Sequence, residues 1–158
     1  MKIKEIMATK VISLKPAENV AVALEFLFQK HISGLPVIDE QGKLLGMFTE
    51  KEVIAKILPS YLKNVGAFCY EENPKAVRQK ILGLKTMQVK DVMRTDVVTV
   101  DEDTALCEVA HLMLAQRARR IPVLNRQKAV VGIAAREDVL KALFKEYADD
   151  LKKGPSPK

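Results

Sequence analysis

Two adjacent arginines and a later aspartate are the residues of this 158-residue chain whose types and spacing best suit ligand binding. Arg119 and Arg120 stand directly before an Ile-Pro-Val step, and Asp138 follows a short apolar run that ends at Gly132. Guanidinium groups offer paired N–H donors that match a phosphate, and a carboxylate accepts hydrogen bonds from hydroxyl groups. By residue type alone, the arginines suit an anion and the aspartate suits hydrogen-bond donors.

Each of these residues also has an interpretation without a ligand. Asp138 could be an acid in the first turn of a helix, where the helix dipole favours it, and Arg119 and Arg120 could belong to a solvated face. Arg136, at the predicted start of the same helix, could meet an anion with the help of the backbone N–H groups there. Residue type alone leaves both interpretations open.

The sequence shows none of the arrangements typical of an enzyme. It contains no nucleophile–base pair, no glycine-rich phosphate loop and no metal cluster that we recognise. The two histidines, His31 and His111, have no carboxylate or thiol at ligand spacing, which argues against a metal site. We therefore expect no catalytic residue, no metal and no required cofactor.

The elements that must position the candidate residues come from an internal repeat. Residues 1–58 align without a gap to residues 87–144, an offset of 86 positions, and ten of the 58 pairs are identical. Each copy predicts the order β-α-β-β-α from its apolar periodicity and turn residues. The predicted elements of the two copies are, in order, the helical starts Lys4–Met7 and Lys90–Met93, the strands VISL and VVTV, helices capped by Asn19 and Thr104, the strands LPVID and IPVLN, turns at Gln41-Gly42 and Gln127-Lys128, the strands KLLGMF and AVVGIA, and helices from Thr49 to Leu58 and from Arg136 to Phe144.

The alignment also predicts the domain boundaries. Copy 1 is 1–58, copy 2 is 87–144, and 59–86 is a partly helical connector with Pro74 in the first turn of its helix. Residues 145–158 are the end of a helix and a flexible tail. A unit of about 55 residues is too small to be comfortably stable alone, so we expect the copies to share an interface.

The repeated pattern resembles a CBS-domain pair, also called a Bateman module. The marks are GLPVID and RIPVLN, then an apolar strand ending in Gly, then a Gly-x-x-[Ser/Thr]-x-x-Asp pattern. That pattern reads Gly46-Met-Phe-Thr49-Glu-Lys-Glu52 in copy 1 and Gly132-Ile-Ala-Ala135-Arg-Glu-Asp138 in copy 2. The resemblance implies an α/β (α+β) fold, in which two tandem β-α-β-β-α repeats pack sheet to sheet about a pseudo-twofold axis. It also implies a regulatory, non-catalytic module with clefts between the repeats that bind AMP, ADP, ATP, S-adenosylmethionine or a related adenosine-type ligand.

The resemblance assigns roles residue by residue. Asp138 would accept hydrogen bonds from a ribose diol, Arg119 and Arg120 would meet phosphate, and the apolar-Pro strands would lie against adenine. Copy 1 has Glu52 in place of the Asp and lacks the arginines, whereas Ala135 of copy 2 lacks the hydroxyl that Thr49 keeps. We therefore predict a preferred copy-2 cleft and a weaker copy-1 cleft. The preferred set is Thr95, Val97, Arg119, Arg120, Ile121, Pro122, Arg136 and Asp138; the weaker set is Thr9, Val11, Gly34, Leu35, Pro36, Thr49 and Glu52.

The net charge of +6 raises the hypothesis of nucleic-acid binding. The excess is spread along the chain, with five Lys/Arg and two Asp/Glu in 59–86 and near balance in each copy, which argues against a nucleic-acid partner. The connector and the cluster Arg117, Arg119, Arg120 keep that alternative open. Another alternative is a protein-interaction or dimerisation module with vestigial clefts.

The compartment follows from what the sequence lacks. No apolar run approaches the ~20 residues of a membrane span, and the start MKIKEIMATK is too charged for a signal-peptide core. Cys69 and Cys107 occur in unlike contexts, so we expect free thiols in a reducing compartment. We predict a cytoplasmic protein without membrane contact, a homodimer as the resemblance implies, and leave open an unidentified protein target.

Overall fold

The structure is a computed structural model that describes residues 1–58 and 74–152. Residues 59–73 of the predicted connector, with Cys69, and residues 153–158 of the predicted tail lie outside the described residues. The helices and the hairpin strands follow the order that the repeat predicts. The helices are α1 (Val20–Lys30), α2 (Glu50–Ile57), α3 (Pro74–Gly83), α4 (Val89–Val92), α5 (Leu106–Ala115), α6 (Arg136–Glu146) and α7 (Ala148–Lys152); the strands are β1 (Gly34–Ile38), β2 (Leu44–Thr49), β3 (Val100–Asp101), β4 (Arg120–Leu124) and β5 (Val130–Ala135); 3-10 turns cover Ile3–Glu5 and Leu84–Thr86.

An antiparallel hairpin forms the centre of each copy, β1 with β2 and β4 with β5. Both predicted turns are confirmed, and the side chains of Asp39 and Asn125 accept backbone N–H bonds inside them. The left-handed position of the turn is Gly42 in copy 1, with φ 81°, and Lys128 in copy 2, with φ 63°. The hairpin therefore folds from local signals, and copy 2 places a lysine where glycine is the usual choice.

The predicted first strand of each copy is largely absent. Leu14 makes a single parallel bridge to Val37, and of the VVTV segment only Val100 belongs to a strand. The β-branched residues gave a real signal of extended backbone, but strand preference is expressed only where a partner strand supplies a ladder. The prediction of full strands there is wrong.

The two predicted helix caps had different outcomes. Asn19 caps α1, because its side-chain oxygen accepts from the backbone N–H groups of Ala21 at 2.9 Å and Val22 at 3.2 Å. Thr104 does not cap α5, since the helix starts one residue later and Ala105 stands at its N-cap without a side-chain bond. The short helical starts and the helix that begins at Pro74 are confirmed.

The chain forms two compact units that cut across the sequence repeat. The copy-1 unit is Ile12–Val97, and the copy-2 unit is Met1–Val11 together with the described chain from Val98 onward. The opening segment of each copy thus packs in the unit that carries the other copy's hairpin.

Each unit has its own aliphatic core. In the copy-1 unit, Val89 packs with residues of α1 and the β1–β2 hairpin, and in the copy-2 unit Ile3 packs with residues of α5 and β4. Val89 and Ile3 stand at matched positions of the repeat, and both are fully buried. The core residues include Val20, Leu27, Val37, Phe48 and Val89 in the first unit, and Ile3, Val109, Met113, Ile121 and Val123 in the second.

A methionine covers the strand glycine of each hairpin. A Cβ on Gly132 would lie 2.8 Å from the Met7 Cγ, and a Cβ on Gly46 would lie 2.9 Å from the Met93 Sδ and 2.6 Å from the Arg94 carbonyl oxygen. All three distances are too short for a contact with a carbon atom. The close approach explains why the repeat keeps both the methionine and the glycine in both copies.

The opening segment of copy 1 is also held by an ion pair. The Lys4 ammonium donates to the Asp103 carboxylate at 2.7 Å. This bond lowers the pKa of Asp103 and raises the pKa of Lys4 from their usual values. Because both side chains are about half exposed, the pair orients the segment more than it stabilises the fold.

Candidate functional site

The anion-binding candidates of copy 2 lie at the open end of the β4–β5 hairpin. Arg120 is the first residue of β4 and stands directly opposite Ala135, the last residue of β5. Arg119 precedes it and is exposed, and Arg120 is half-buried. Within residues 1–58 and 74–152, neither guanidinium forms a hydrogen bond or an ion pair with another side chain. Both cations are therefore available to an anion from outside.

Arg136 holds the segment that carries these two arginines. Its guanidinium donates to the Ala118 carbonyl oxygen at 2.9 Å, and its backbone N–H donates to the Arg119 carbonyl oxygen at 2.9 Å. A guanidinium has five N–H donors, so this bond leaves others for a ligand. The contact to Ala118 is a positioning role that the sequence did not indicate.

Asp138 carries the free carboxylate of the set. It is the third residue of α6, whose N-cap is Ala135, and its side chain is half-buried. Among the residues that the structure describes, no hydrogen bond or ion pair engages this carboxylate. The dipole of α6 favours an anion at this position, and its oxygens remain open to hydroxyl donors.

The matched residues of copy 1 bond to each other instead. The Thr49 hydroxyl donates to the Glu52 carboxylate, and both side chains are half-buried. Thr49 is the N-cap of α2 but makes no side-chain bond to the helix backbone. Two of the predicted ligand-binding groups in copy 1 are thus satisfied within the protein.

The two residues that face each other at the open end of each hairpin differ between the copies in size as well as in charge. Gly34 stands opposite Thr49, and a Cβ on Gly34 would lie 2.6 Å from the Thr49 Cγ2 and 2.9 Å from the Phe48 carbonyl oxygen. In copy 2 the matched pair is Arg120 with Ala135. The alanine, which the sequence presented only as a lost hydroxyl, leaves room for the arginine side chain.

Within each set, the two neighbouring strand residues face opposite sides of the hairpin. Ile121 and Leu35 are buried in the cores of their units. Alternation along a strand places Pro122 and Pro36 on the other face. Pro122 and Pro36 are buried as well, and the contact of these strand residues with adenine stays a prediction.

The remaining predicted residues are divided between the units by the exchange of opening segments. Thr95 and Val97 belong to the copy-1 unit, whereas the other members of the preferred set belong to the copy-2 unit. Thr9 and Val11 belong in turn to the copy-2 unit, apart from the rest of the weaker set. Their contact with a ligand stays a prediction.

No group of His, Cys, Asp or Glu in the described ranges has an arrangement that could hold a metal ion. No helix in those ranges combines the length and the apolar character that crossing a membrane requires.

Known proteins match this chain along almost its whole length. It is 32% identical over 153 residues to the inosine-5'-monophosphate dehydrogenase of Methanocaldococcus jannaschii. This match covers 97% of the chain and 26% of the dehydrogenase. It is 31% identical to protein MJ1426 of the same organism, over 89% of the chain and 93% of the relative. It is also 30% identical to CBSX1, chloroplastic, of Arabidopsis thaliana, over 82% of the chain and 57% of the relative. The chain thus spans about a quarter of the dehydrogenase.

Solved structures have the same fold. CBSX2 in complex with AMP superposes with a TM-score of 0.70 at 26% identity, over 92% of this chain and 97% of that one. The CBS-domain pair of protein MJ0100, in complex with 5-methylthioadenosine and S-adenosyl-L-methionine, superposes with a TM-score of 0.64 at 25% identity, over 90% and 99%.

The family model for the CBS domain matches twice, at residues 3–59 and 89–145. These ranges hold both hairpins, both pairs of flanking helices and every candidate residue described above. The chain belongs to the CBS-domain family and contains a pair of CBS domains.

Proposed function

We propose that this CBS-domain pair is a non-catalytic regulatory module that binds an adenosine-type ligand, with copy 2 as the preferred site. One observation carries the proposal: Asp138, Arg119 and Arg120 border one hairpin end, and among the described residues their side chains form no hydrogen bond or ion pair. In copy 1 the matched Thr49 and Glu52 are bonded to each other.

The chemistry of the copy-2 set matches the parts of an adenine nucleotide. A carboxylate at Asp138 can accept hydrogen bonds from both hydroxyls of a ribose, and the two guanidinium groups can bind phosphate oxygens in pairs. The relatives support this match, since CBSX2 was solved with AMP and the MJ0100 pair with 5-methylthioadenosine and S-adenosyl-L-methionine. No cofactor is required for such a role.

Calorimetry tests the assignment with AMP, ADP, ATP and S-adenosylmethionine added to the ligand-free protein. Asp138→Ala removes the ribose contact, and we expect a loss of about 1.5–3 kcal/mol in binding free energy, the range for a hydrogen bond to a charged group. Glu52→Ala is the matched control in copy 1 and should leave the tightest site unchanged. Absence of heat with every ligand would reject the function, and equal affinity of wild type and Asp138→Ala would reject the site.

Regulation by such a module follows from population shift. A ligand shifts a conformational equilibrium only by its differential affinity for the two states. The match to part of a dehydrogenase supports a role beside a larger protein, and we propose a protein target that responds to the occupied state.

We infer that the chain forms a homodimer. Leu140, Phe144, Tyr147 and Leu151 are more than half exposed, and their spacing places them along one side of α6 and α7. A second copy would remove this apolar stripe from water. The same stripe supports the alternative role as a protein-interaction module. Light scattering tests the dimer, and a mass of 17.6 kDa in solution would contradict it.

We propose a cytoplasmic location. Cys107 is exposed and free of a disulfide, which suits a reducing compartment. Fluorescence microscopy of intact cells that express a tagged chain tests this location. The test is needed because the relative CBSX1 is chloroplastic.

A further inference from the structure

We propose, as an inference that rests on the function above, that the two copies select adenosine compounds by opposite charge. The copy-2 set binds a compound with an anionic 5′-phosphate. The copy-1 set rejects that compound and admits only an adenosine compound without negative charge at the 5′ position, such as a thioether or a sulfonium.

The proposal rests on five positions that border the open end of each hairpin and the start of the next helix. In copy 2 three arginines face one aspartate, whereas copy 1 has two glutamates and no cation. The position between the last two of each set is Lys51 in copy 1 and Glu137 in copy 2. With it included, the net charge is still negative in copy 1 and positive in copy 2. Glu137 is already paired with Lys141 at 2.6 Å. The positions are Ser33, Gly34, Thr49, Glu50 and Glu52 in copy 1, and Arg119, Arg120, Ala135, Arg136 and Asp138 in copy 2.

The same backbone frame carries both sets of charges. The Arg136 N–H donates to the Arg119 carbonyl oxygen at 2.9 Å, and the matched Glu50 N–H donates to the Ser33 carbonyl oxygen at 3.0 Å. The strand pairs Gly34–Thr49 and Arg120–Ala135 also have the same register. Because the frames match, the difference in side-chain charge decides which ligand each copy accepts.

Local packing prevents copy 1 from recovering a cation at the hairpin end. Gly34 has no room for a Cβ beside Thr49 and the Phe48 carbonyl. The Thr49 hydroxyl holds the Glu52 carboxylate at the helix start, next to Glu50. A phosphate placed there would meet two anions, and like charges brought together weaken binding and exclude the wrong partner.

The test uses the full chain and three probes: AMP, methylthioadenosine and S-adenosylmethionine. Calorimetry should give one AMP per chain, and methylthioadenosine or S-adenosylmethionine should still bind the AMP-saturated protein. The double variant Arg119→Gln/Arg120→Gln should weaken AMP at least tenfold and leave methylthioadenosine within twofold. Arg126→Gln/Lys145→Gln removes the same charge from the copy-2 unit outside the set, and it should leave AMP affinity unchanged.

The outcomes separate this inference from the function on which it rests. If no adenosine compound binds, the function fails and the inference with it. If AMP binds, two AMP per chain of similar affinity overturn the charge selection alone. Equal AMP affinity in the wild type and the Arg119→Gln/Arg120→Gln variant, with unchanged melting temperature, overturns it as well. Failure of both methylthioadenosine and S-adenosylmethionine to bind the AMP-saturated protein also overturns it.

Discussion

The pair Gly34–Thr49 and its counterpart Arg120–Ala135 show how single residues make two equal hairpins unequal. Directly opposed side chains on an antiparallel pair lie close together, so a large residue on one strand requires a small one on the other. Copy 1 solves this with a glycine opposite a β-branched threonine. Copy 2 solves it with an arginine opposite an alanine. The absence of a hydroxyl at Ala135 also leaves Asp138 without the partner that engages Glu52.

An arginine placed at position 34 of copy 1 tests this size requirement. Gly34→Arg should lower the free energy of unfolding by about 1–3 kcal/mol, because overpacking forces the Thr49 side chain and the Phe48 carbonyl to shift. Adding Thr49→Ala should restore at least half of the loss. Urea unfolding of the two single variants and the double variant gives the coupling energy. Strict additivity of the two single changes would contradict the proposed clash.

Helix starts differ between the copies in the same way as the strand pairs. Asn19 caps α1 and also donates its side-chain amide to the Lys85 carbonyl oxygen at 2.6 Å. The matched helix α5 has Ala105 at its N-cap, with the extended backbone of that position, φ −66° and ψ 142°, but no side chain that could accept a bond. One helix start is therefore stabilised by its cap, and the other depends on the packing of its apolar face.

Substitution at the two caps should have opposite effects. Asn19→Ala should lower the free energy of unfolding by about 1 kcal/mol, and Ala105→Ser should raise it by about 0.5–1 kcal/mol, since serine can accept a helix N–H there. Asn19→Asp keeps the capping oxygen and loses the donor to Lys85, so it separates the two roles of Asn19. Circular dichroism during urea unfolding measures all three. A destabilised Ala105→Ser variant would show that the backbone of α5 cannot use a cap.

Because the opening segments are exchanged, the core of each compact unit contains residues from both sequence repeats. Ile3 belongs by sequence to copy 1, yet it packs in the core that holds α5 and β4 of copy 2. Val89 belongs by sequence to copy 2 and packs in the core that holds the hairpin of copy 1. Each core is incomplete without a segment from the other copy, so neither sequence repeat should be stable by itself.

Two matched truncations test this arrangement. Ile3→Ala should cost about 2–5 kcal/mol, the range for a buried isoleucine, and hydrogen exchange should rise first in the amides of α5 and β4. Val89→Ala removes fewer carbons and should cost less, with faster exchange in β1 and β2. Faster exchange in β1 and β2 after Ile3→Ala, with α5 and β4 still protected, would contradict the exchanged packing.

Local signals in the sequence were enough for the repeat, both hairpins with their turns and the capped α1. Residue types also suggested the arginines and the aspartate of the candidate set, whose contact with a ligand stays a prediction. Alternation, helical spacing and turn residues act over a few positions and can be interpreted without the fold. The partners of Ile3, Met7 and Val89 needed the tertiary structure, because apolar periodicity marks a residue as buried but does not say in which core. The room that Ala135 leaves for Arg120 also needed it, since it depends on cross-strand register. The Thr49–Glu52 bond is local, but it depends on side-chain directions that residue types alone do not give. Residue types identified the chemistry that this chain could do, and only the structure, through side-chain direction and cross-strand register, decided which of those groups bond to each other.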